Sequence, residues 1–245
     1  GIELPCEFSF DRKYGYTCRV FDYSNDNPNG EISEITGDHL YRGDKNHRSR
    51  NDSDVYRLIF WKLDLQYLPG NITHHFSMLR TLQIKNCGLK ALTRSAELNG
   101  LRRLYVGFNE LETIPKTFFW SYCRLEILSF FNNQISTIHK NAFRDLIKLR
   151  RLSLNQNRLK TLESTLFEDC INLEVVDLDN NQLSEINGDL FANQPLLRKV
   201  FLQNNQLTAI ESHFLSQVIN LKLSTVLFRK NKCIDFVYPD DGDFE

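Results

Sequence analysis

The stretch "LRRLSLNQNRL" at residues 149–159 is followed by "LEVVDLDNNQL" at 173–183. "LEILSFFNNQI" at 125–135 comes before it and "LRKVFLQNNQL" at 197–207 comes after it. The frame therefore returns every 24 residues, with four or five positions held and the others free. The held positions are apolar apart from one Asn, so they answer to burial. The free positions are where any function must be sought.

Extending the frame in both directions gives eight units, which begin at Val55, Leu79, Leu101, Leu125, Leu149, Leu173, Leu197 and Leu223. They follow L-x-x-L-x-L-x-x-N/C-x-L, the first with Leu63 in the N/C slot, and neighbouring units lie 22 to 26 residues apart. A unit this short cannot bury its own apolar face, so units must stack and share one core. Positions 1, 4, 6 and 11 then point inward. Position 9 reads Leu63, Cys87, Asn109, Asn133, Asn157, Asn181, Asn205 and Asn231, a side chain suited to satisfying backbone groups in the turn that leaves the strand. Phe119, Phe143, Phe167 and Phe191 share position 19 and read as a stacked aromatic spine.

On this motif, residues 55–233 resemble an extracellular leucine-rich repeat protein. The resemblance implies an α/β solenoid with a curved parallel β-sheet on its concave face. It divides the chain into an N-terminal cap at 1–54, repeats at 55–232 and a short acidic tail at 233–245, an atypical or truncated C-terminal cap. In the cap, "CEFSFDRKYGYTC" spaces Cys6 and Cys18 around a turn, as a disulfide-closed antiparallel hairpin would. The strand Tyr16-Thr17-Cys18-Arg19-Val20 and the element Gly37-Asp38-His39 are similar to the cap of secreted, immune-type arthropod leucine-rich repeat proteins. This implies an oxidising, extracellular setting.

Of the remaining cysteines, Cys170 falls in a core slot and reads as a buried thiol, while Cys87 occupies the position-9 slot. Cys123 has no evident partner. Cys233 reads either as a buried thiol or as a link to another copy or another chain. The sequons at Asn51 and Asn71 are acceptors for glycans on a secreted chain. No apolar run reaches the length of a membrane span, and the start lacks a basic, apolar leader, as expected of a processed chain.

No catalytic arrangement, metal-ligand set or phosphate-binding loop is present, so neither an enzyme nor a cofactor is expected. Asp177 and Asp179 would stand on one face of a strand. Calcium binding or acid–base chemistry is one reading of that pair, and ion pairing with Arg151 and Lys199 is the preferred one.

The near-neutral total charge conceals a partition. Residues 1–54 hold seven bases and eleven acids and residues 234–245 hold five acids and no base, leaving the repeats strongly basic. Positions 2, 3, 5, 7 and 8 should floor the concave face, and they contain twelve bases against four acids. Position 2 alternates Arg102, Glu126, Arg150, Glu174 and Arg198, which predicts a cross-strand ion ladder. Position 3 carries Arg57, Arg103, Arg151 and Lys199 with no acid in its row. Beside it stand Trp61, Tyr105, Phe108, Phe131 and Phe201, which the fold does not require. Arg and exposed aromatics together have the composition of an interface centre. The expected function is recognition of a protein ligand with an acidic surface. The alternatives are a polyanion (sulfated glycan, anionic lipid or nucleic acid) and adhesion through Arg42-Gly43-Asp44 in the polar loop 41–54, a segment expected to be mobile.

Overall fold

The computed structural model describes residues 2–13, 15–25, 30–37, 51–92, 98–120, 122–211, 213–214, 216, 225–232 and 237–238. These residues fall into two compact units, Gly1–Leu111 and Glu112–Glu245. The Arg42-Gly43-Asp44 tripeptide and Cys233 lie outside the described residues.

In the first unit, the hairpin of Ile2–Asp11 and Gly15–Val20 pairs antiparallel, with Phe8 opposite Cys18 and Cys6 opposite Val20. The Cys6–Cys18 disulfide crosses it diagonally and is buried. Ile32–Thr36 runs parallel along the outer edge of the hairpin. Gly37 ends that strand at φ +135°, where any Cβ would lie 2.1 Å from the Cys6 carbonyl oxygen. Only glycine fits there, which explains the Gly37 of the cap motif. On the other edge the hairpin continues into three parallel repeat strands, Arg57–Trp61, Thr81–Lys85 and Arg103–Gly107. The cap is therefore the first part of this sheet and leaves no open edge at Arg57–Trp61.

Asn71 fastens the cap to the repeats. Its amide donates to the Ile32 carbonyl at 2.8 Å and accepts from the Ile32 N–H at 2.8 Å. Both polar atoms of this sequon side chain are thus engaged. The other sequon, Asn51, caps a 3-10 turn at Asp52–Asp54, and the Asp54 carboxylate accepts in return from the Asn51 N–H. The final residues of the polar loop 41–54 are consequently a capped turn.

The second unit contains five parallel strands in register: Ile127–Ser129, Arg151–Ser153, Val175–Asp177, Lys199–Phe201 and Thr225–Leu227. Val237–Tyr238, in the acidic tail, pairs antiparallel with the last of them. The return segments run largely as turns and bends, with a one-turn α-helix at Ile72–His75 in the first unit. Among the described residues no helix is long and apolar enough to cross a membrane.

Strand alternation places positions 4 and 6 in the core. Leu58, Phe60, Leu82, Ile84, Leu104 and Val106 are fully buried in the first unit, as are Leu128, Phe130, Leu154, Val176, Leu178, Val200 and Leu202 in the second. The aromatic spine forms as expected: the rings of Phe119, Phe143, Phe167 and Phe191 follow one another at 5.5–6.0 Å between centroids. Phe214 extends the spine at 6.0 Å. Cys170 and Gln194, both at the slot three residues before a repeat, donate to the carbonyls of Phe143 and Phe167 in the preceding turn. Burial, with Asp169 adding to it, pushes the Cys170 thiol up to about 12, so it is a packing group rather than a nucleophile. Cys87 is likewise buried and free.

Asn ladders hold the turns. In the second unit, Asn181 accepts from the Leu159 N–H of the previous repeat and donates to the Leu154 and Leu178 carbonyls, all at 3.0–3.1 Å. Asn157, Asn205 and Asn231 repeat this geometry, and in the first unit Asn109 accepts from the Cys87 and Leu89 N–H groups. Each Asn therefore closes its own turn and joins it to the preceding one.

Candidate functional site

The outward positions form rows. In the first unit Thr17, Arg57, Thr81 and Arg103 pair in succession along one line of the sheet. In the second, Ile127, Arg151, Val175, Lys199 and Thr225 do the same. Within each unit the position-3 bases therefore stand on one side of the sheet. Their surroundings differ. Arg57 is half-buried and donates to the Gln83 side-chain oxygen at 2.6 Å, so it serves the sheet as well as the surface. Thr81 is buried, whereas Arg151 and Lys199 are exposed.

Position 8 departs from the expected outward set. Lys62, Asn86, Phe108, Asn132, Gln156, Asn180, Asn204 and Lys230 all have φ between +52° and +59°, so this position is a left-handed turn residue past the strand. Asn adopts that conformation readily, and a bulky side chain does so only at a steric cost. Lys62 and Phe108 hold it in the first unit, and both are stacked. The Lys62 ammonium lies 4.9 Å from the Trp61 ring, and the Lys85 ammonium lies 4.9 Å from the Phe108 ring. Arg19 of the cap sits 4.3 Å from the Trp61 ring. One end of the first unit's strand face is thus a set of aromatic rings each bearing cations.

Sequence reading omits Arg19 from this site. Its signal lay in the alternation of "YTCRVF": with Cys18 and Val20 inward, Thr17, Arg19 and Phe21 point outward once the hairpin strand is a member of the repeat sheet. Phe21, 50% exposed and outside the repeat frame, and Tyr56, 41% exposed at position 2 of the first repeat, are further surface rings. Tyr105, Phe131 and Phe201 are half-buried, each beside its outward neighbours.

In the second unit, position 2 is structural, as its alternating signs predict. Glu174 bridges Arg150 at 2.7 Å and Arg198 at 2.9 Å, and the hydrogen bond from Arg150 foremost holds its carboxyl below the usual range. The expectation for Asp177 and Asp179 is corrected. Among the described residues neither pairs with Arg151 or Lys199. Asp179 instead accepts from the side-chain amides of Asn180 and Gln203, and its N–H donates to Asp177. Burial, then the hydrogen bond and charge of Asp179, push the Asp177 carboxyl up to about 7. Asp177 ends the strand and Asp179 follows it in the turn, while the bases of position 3 remain free of both.

Solved structures share this architecture. TLR13 in its complex with ssRNA13 is 26% identical with a TM-score of 0.68, over 74% of this chain and 26% of its own. Toll, in the Drosophila Toll–Spatzle complex, is 24% identical with a TM-score of 0.65, over 75% of this chain and 24% of its own. The APL1 leucine-rich repeat domain is 18% identical with a TM-score of 0.68, over 94% of this chain and 54% of that one. The chain thus spans about a quarter of the TLR13 and Toll chains and about half of the APL1 chain. No curated protein sequence matches it. Residues 112–235 match the BspA type leucine rich repeat region in six copies, just over half of the chain, and with the strand rows, Asn ladder and Phe spine this makes the protein a member of the leucine-rich repeat family.

Proposed function

We propose that this chain is an extracellular, non-enzymatic recognition module of the arthropod immune type, which holds a protein partner with an acidic surface on the outward face of its strands. The observation that carries the reading is the stacking of Arg19 and Lys62 on Trp61, and of Lys85 on Phe108, in line with Arg103 and Tyr105. A cation held on a ring keeps its charge and gives up little conformational entropy when a partner arrives. Arg151, Lys199 and Phe201 offer a second basic surface on the other unit, with Phe131 beside the first strand of its row. The TLR13 and Toll structures, each a complex with another macromolecule, support a ligand-holding role for this architecture.

Capture from extracellular fluid tests the proposal. The whole chain retains an acidic protein at low salt, and retention falls as salt rises. Trp61→Ala combined with Lys85→Glu weakens that capture by about tenfold or more, the scale of a lost interface centre. Unchanged capture by this variant contradicts the site.

A further inference from the structure

The turns that lead into the strands of the second unit share one build. Three residues before each repeat stands a buried residue, and the N–H groups of Tyr122, Leu146, Cys170 and Gln194 donate to the carbonyls of Phe119, Phe143, Phe167 and Phe191. Each of the four then accepts from the first N–H of its repeat, at Leu125, Leu149, Leu173 and Leu197. The residue after it, two before the repeat, sits exposed at the tip. In the first unit this slot holds Ser77 and Asn99, so the turn does not require an apolar side chain. In the second it holds Cys123, Ile147, Ile171 and Pro195, with Leu196 beside Pro195. Ile147, Ile171 and Leu196 are 46–49% exposed. Neighbouring tips are tied together: the Asn172 side-chain amide donates to the Ile147 carbonyl at 2.6 Å, and the Asp145 N–H donates to the Asp169 carboxylate at 3.2 Å. Single apolar residues are ordinary on a surface, but four in adjacent turns make a continuous stripe. Its two borders carry opposite charge. On the strand side, Arg124 and Lys148 stand one residue before their repeats, and on the return side Asp145 and Asp169 stand four before theirs. Among the described residues none of these four is in an ion pair within the chain. Arg144 and Glu168, one step further back, cancel in charge.

We infer that this stripe is the contact face of a symmetric dimer, in which it docks on the same stripe of a second copy of this chain. Charge complementarity selects both the occupant and its orientation. A two-fold axis parallel to the stripe lays the strand-side border of each copy on the return-side border of the other. Lys148 of each copy then meets Asp145 of the other, with isoleucine on isoleucine between the two ion pairs. An axis across the stripe would set acid on acid and base on base, which is unfavourable at both borders. The stripe is thus complementary to itself in one orientation only. A lipid surface would suit the apolar row and its bases but not the two acids beside them. The parallel axis also leaves each tip at its own height along the stack, so the exposed Cys123 of one copy faces Cys123 of the other. The stripe shares no residue with the recognition face proposed above, so the inference does not rest on that reading.

Sedimentation equilibrium of the whole chain in reducing buffer tests the inference. The parent chain forms a dimer at micromolar concentration. Ile147→Asp with Ile171→Asp weakens it about a hundredfold or more, because each change removes an apolar contact from both copies. Both positions are exposed, and thermal melting confirms that every variant folds. Lys148→Asp alone and Asp145→Lys alone each weaken the dimer. The two together exchange the charges across the axis and restore it to within about threefold of the parent. Asp145 has φ +64°, a conformation that Lys62 and Lys230 already adopt in this fold. Oxidised glutathione supplies a second readout. One Cys123 thiolate attacks it, giving a mixed disulfide and one glutathione thiolate. The facing Cys123 thiolate then attacks the mixed disulfide, forms the Cys123–Cys123 bond and releases the second glutathione thiolate. The linked dimer runs as one band on a non-reducing gel and is absent from Cys123→Ser and from the isoleucine variant. The inference is overturned if the parent stays monomeric, if the isoleucine variant dimerises like the parent, if the charge exchange restores nothing, or if no Cys123 link forms. A monomeric parent that binds phosphatidylserine vesicles through the same isoleucines overturns it in favour of a lipid surface. Capture of the acidic protein partner persists in the isoleucine variant, so failure here and failure of the strand-face reading are told apart.

Discussion

At the scale of single residues, the buried polar groups show most clearly what this fold requires. Asn181 is buried and satisfies three backbone groups belonging to two successive repeats. Asn181→Ala leaves all three without a partner, and we predict a loss of about 3 kcal/mol or more in denaturant unfolding. A loss under about 1 kcal/mol would mean that water replaces the amide. Asp177 makes the opposite contribution. Its folded value, about 7, lies above the ordinary carboxylate range, so the native state binds a proton that the unfolded state has released. Its contribution is complete below the unfolded value near 4, declines as pH rises towards 7 and levels off above it. Asp177→Asn should therefore flatten the fall in melting temperature across that window and stabilise the protein at neutral pH. A parent chain whose stability rises through the window contradicts the assignment.

At the scale of elements, the Phe spine and the short parallel strands are cooperative. Phe167 stacks on Phe143 at 6.0 Å and on Phe191 at 5.5 Å, and it is fully buried. Phe167→Ala should cost about 3–5 kcal/mol, read as a shift in the denaturant midpoint. A smaller loss would show that the turn collapses into the cavity. Much of this level was legible from the repeat frame, because burial of positions 4 and 6, the Asn turn and the Phe column each leave a one-letter signature. The left-handed position 8 was less legible. Asn occurs there four times and suggests the conformation, but Lys62, Phe108, Gln156 and Lys230 hide it. Side-chain pairing was legible only where signs alternate down a single row, as at Arg150, Glu174 and Arg198. For Asp177 and Asp179, contact depends on how far each side chain is buried and which neutral amide lies nearer, and spacing alone does not encode that.

At the scale of the whole molecule, the cap covers the end of the core and, in the proposed function, also contributes to the recognition surface. The strand Gly15–Val20 pairs with Arg57–Trp61, which brings Arg19 onto Trp61. That juxtaposition could not be read from the repeats, because residues 1–54 fall outside their period. The first unit consequently presents aromatic-borne cations at one end of its strands. The central claim is that partners are held on the outward strand face, and hydroxyl-radical footprinting with the captured acidic partner bound tests it most directly. The account predicts protection of Trp61, Tyr105 and Phe108, while Trp120 and Ile171, each 49% exposed, react as in the free chain. Protection of Trp120 and Ile171 with Trp61, Tyr105 and Phe108 unchanged would contradict it.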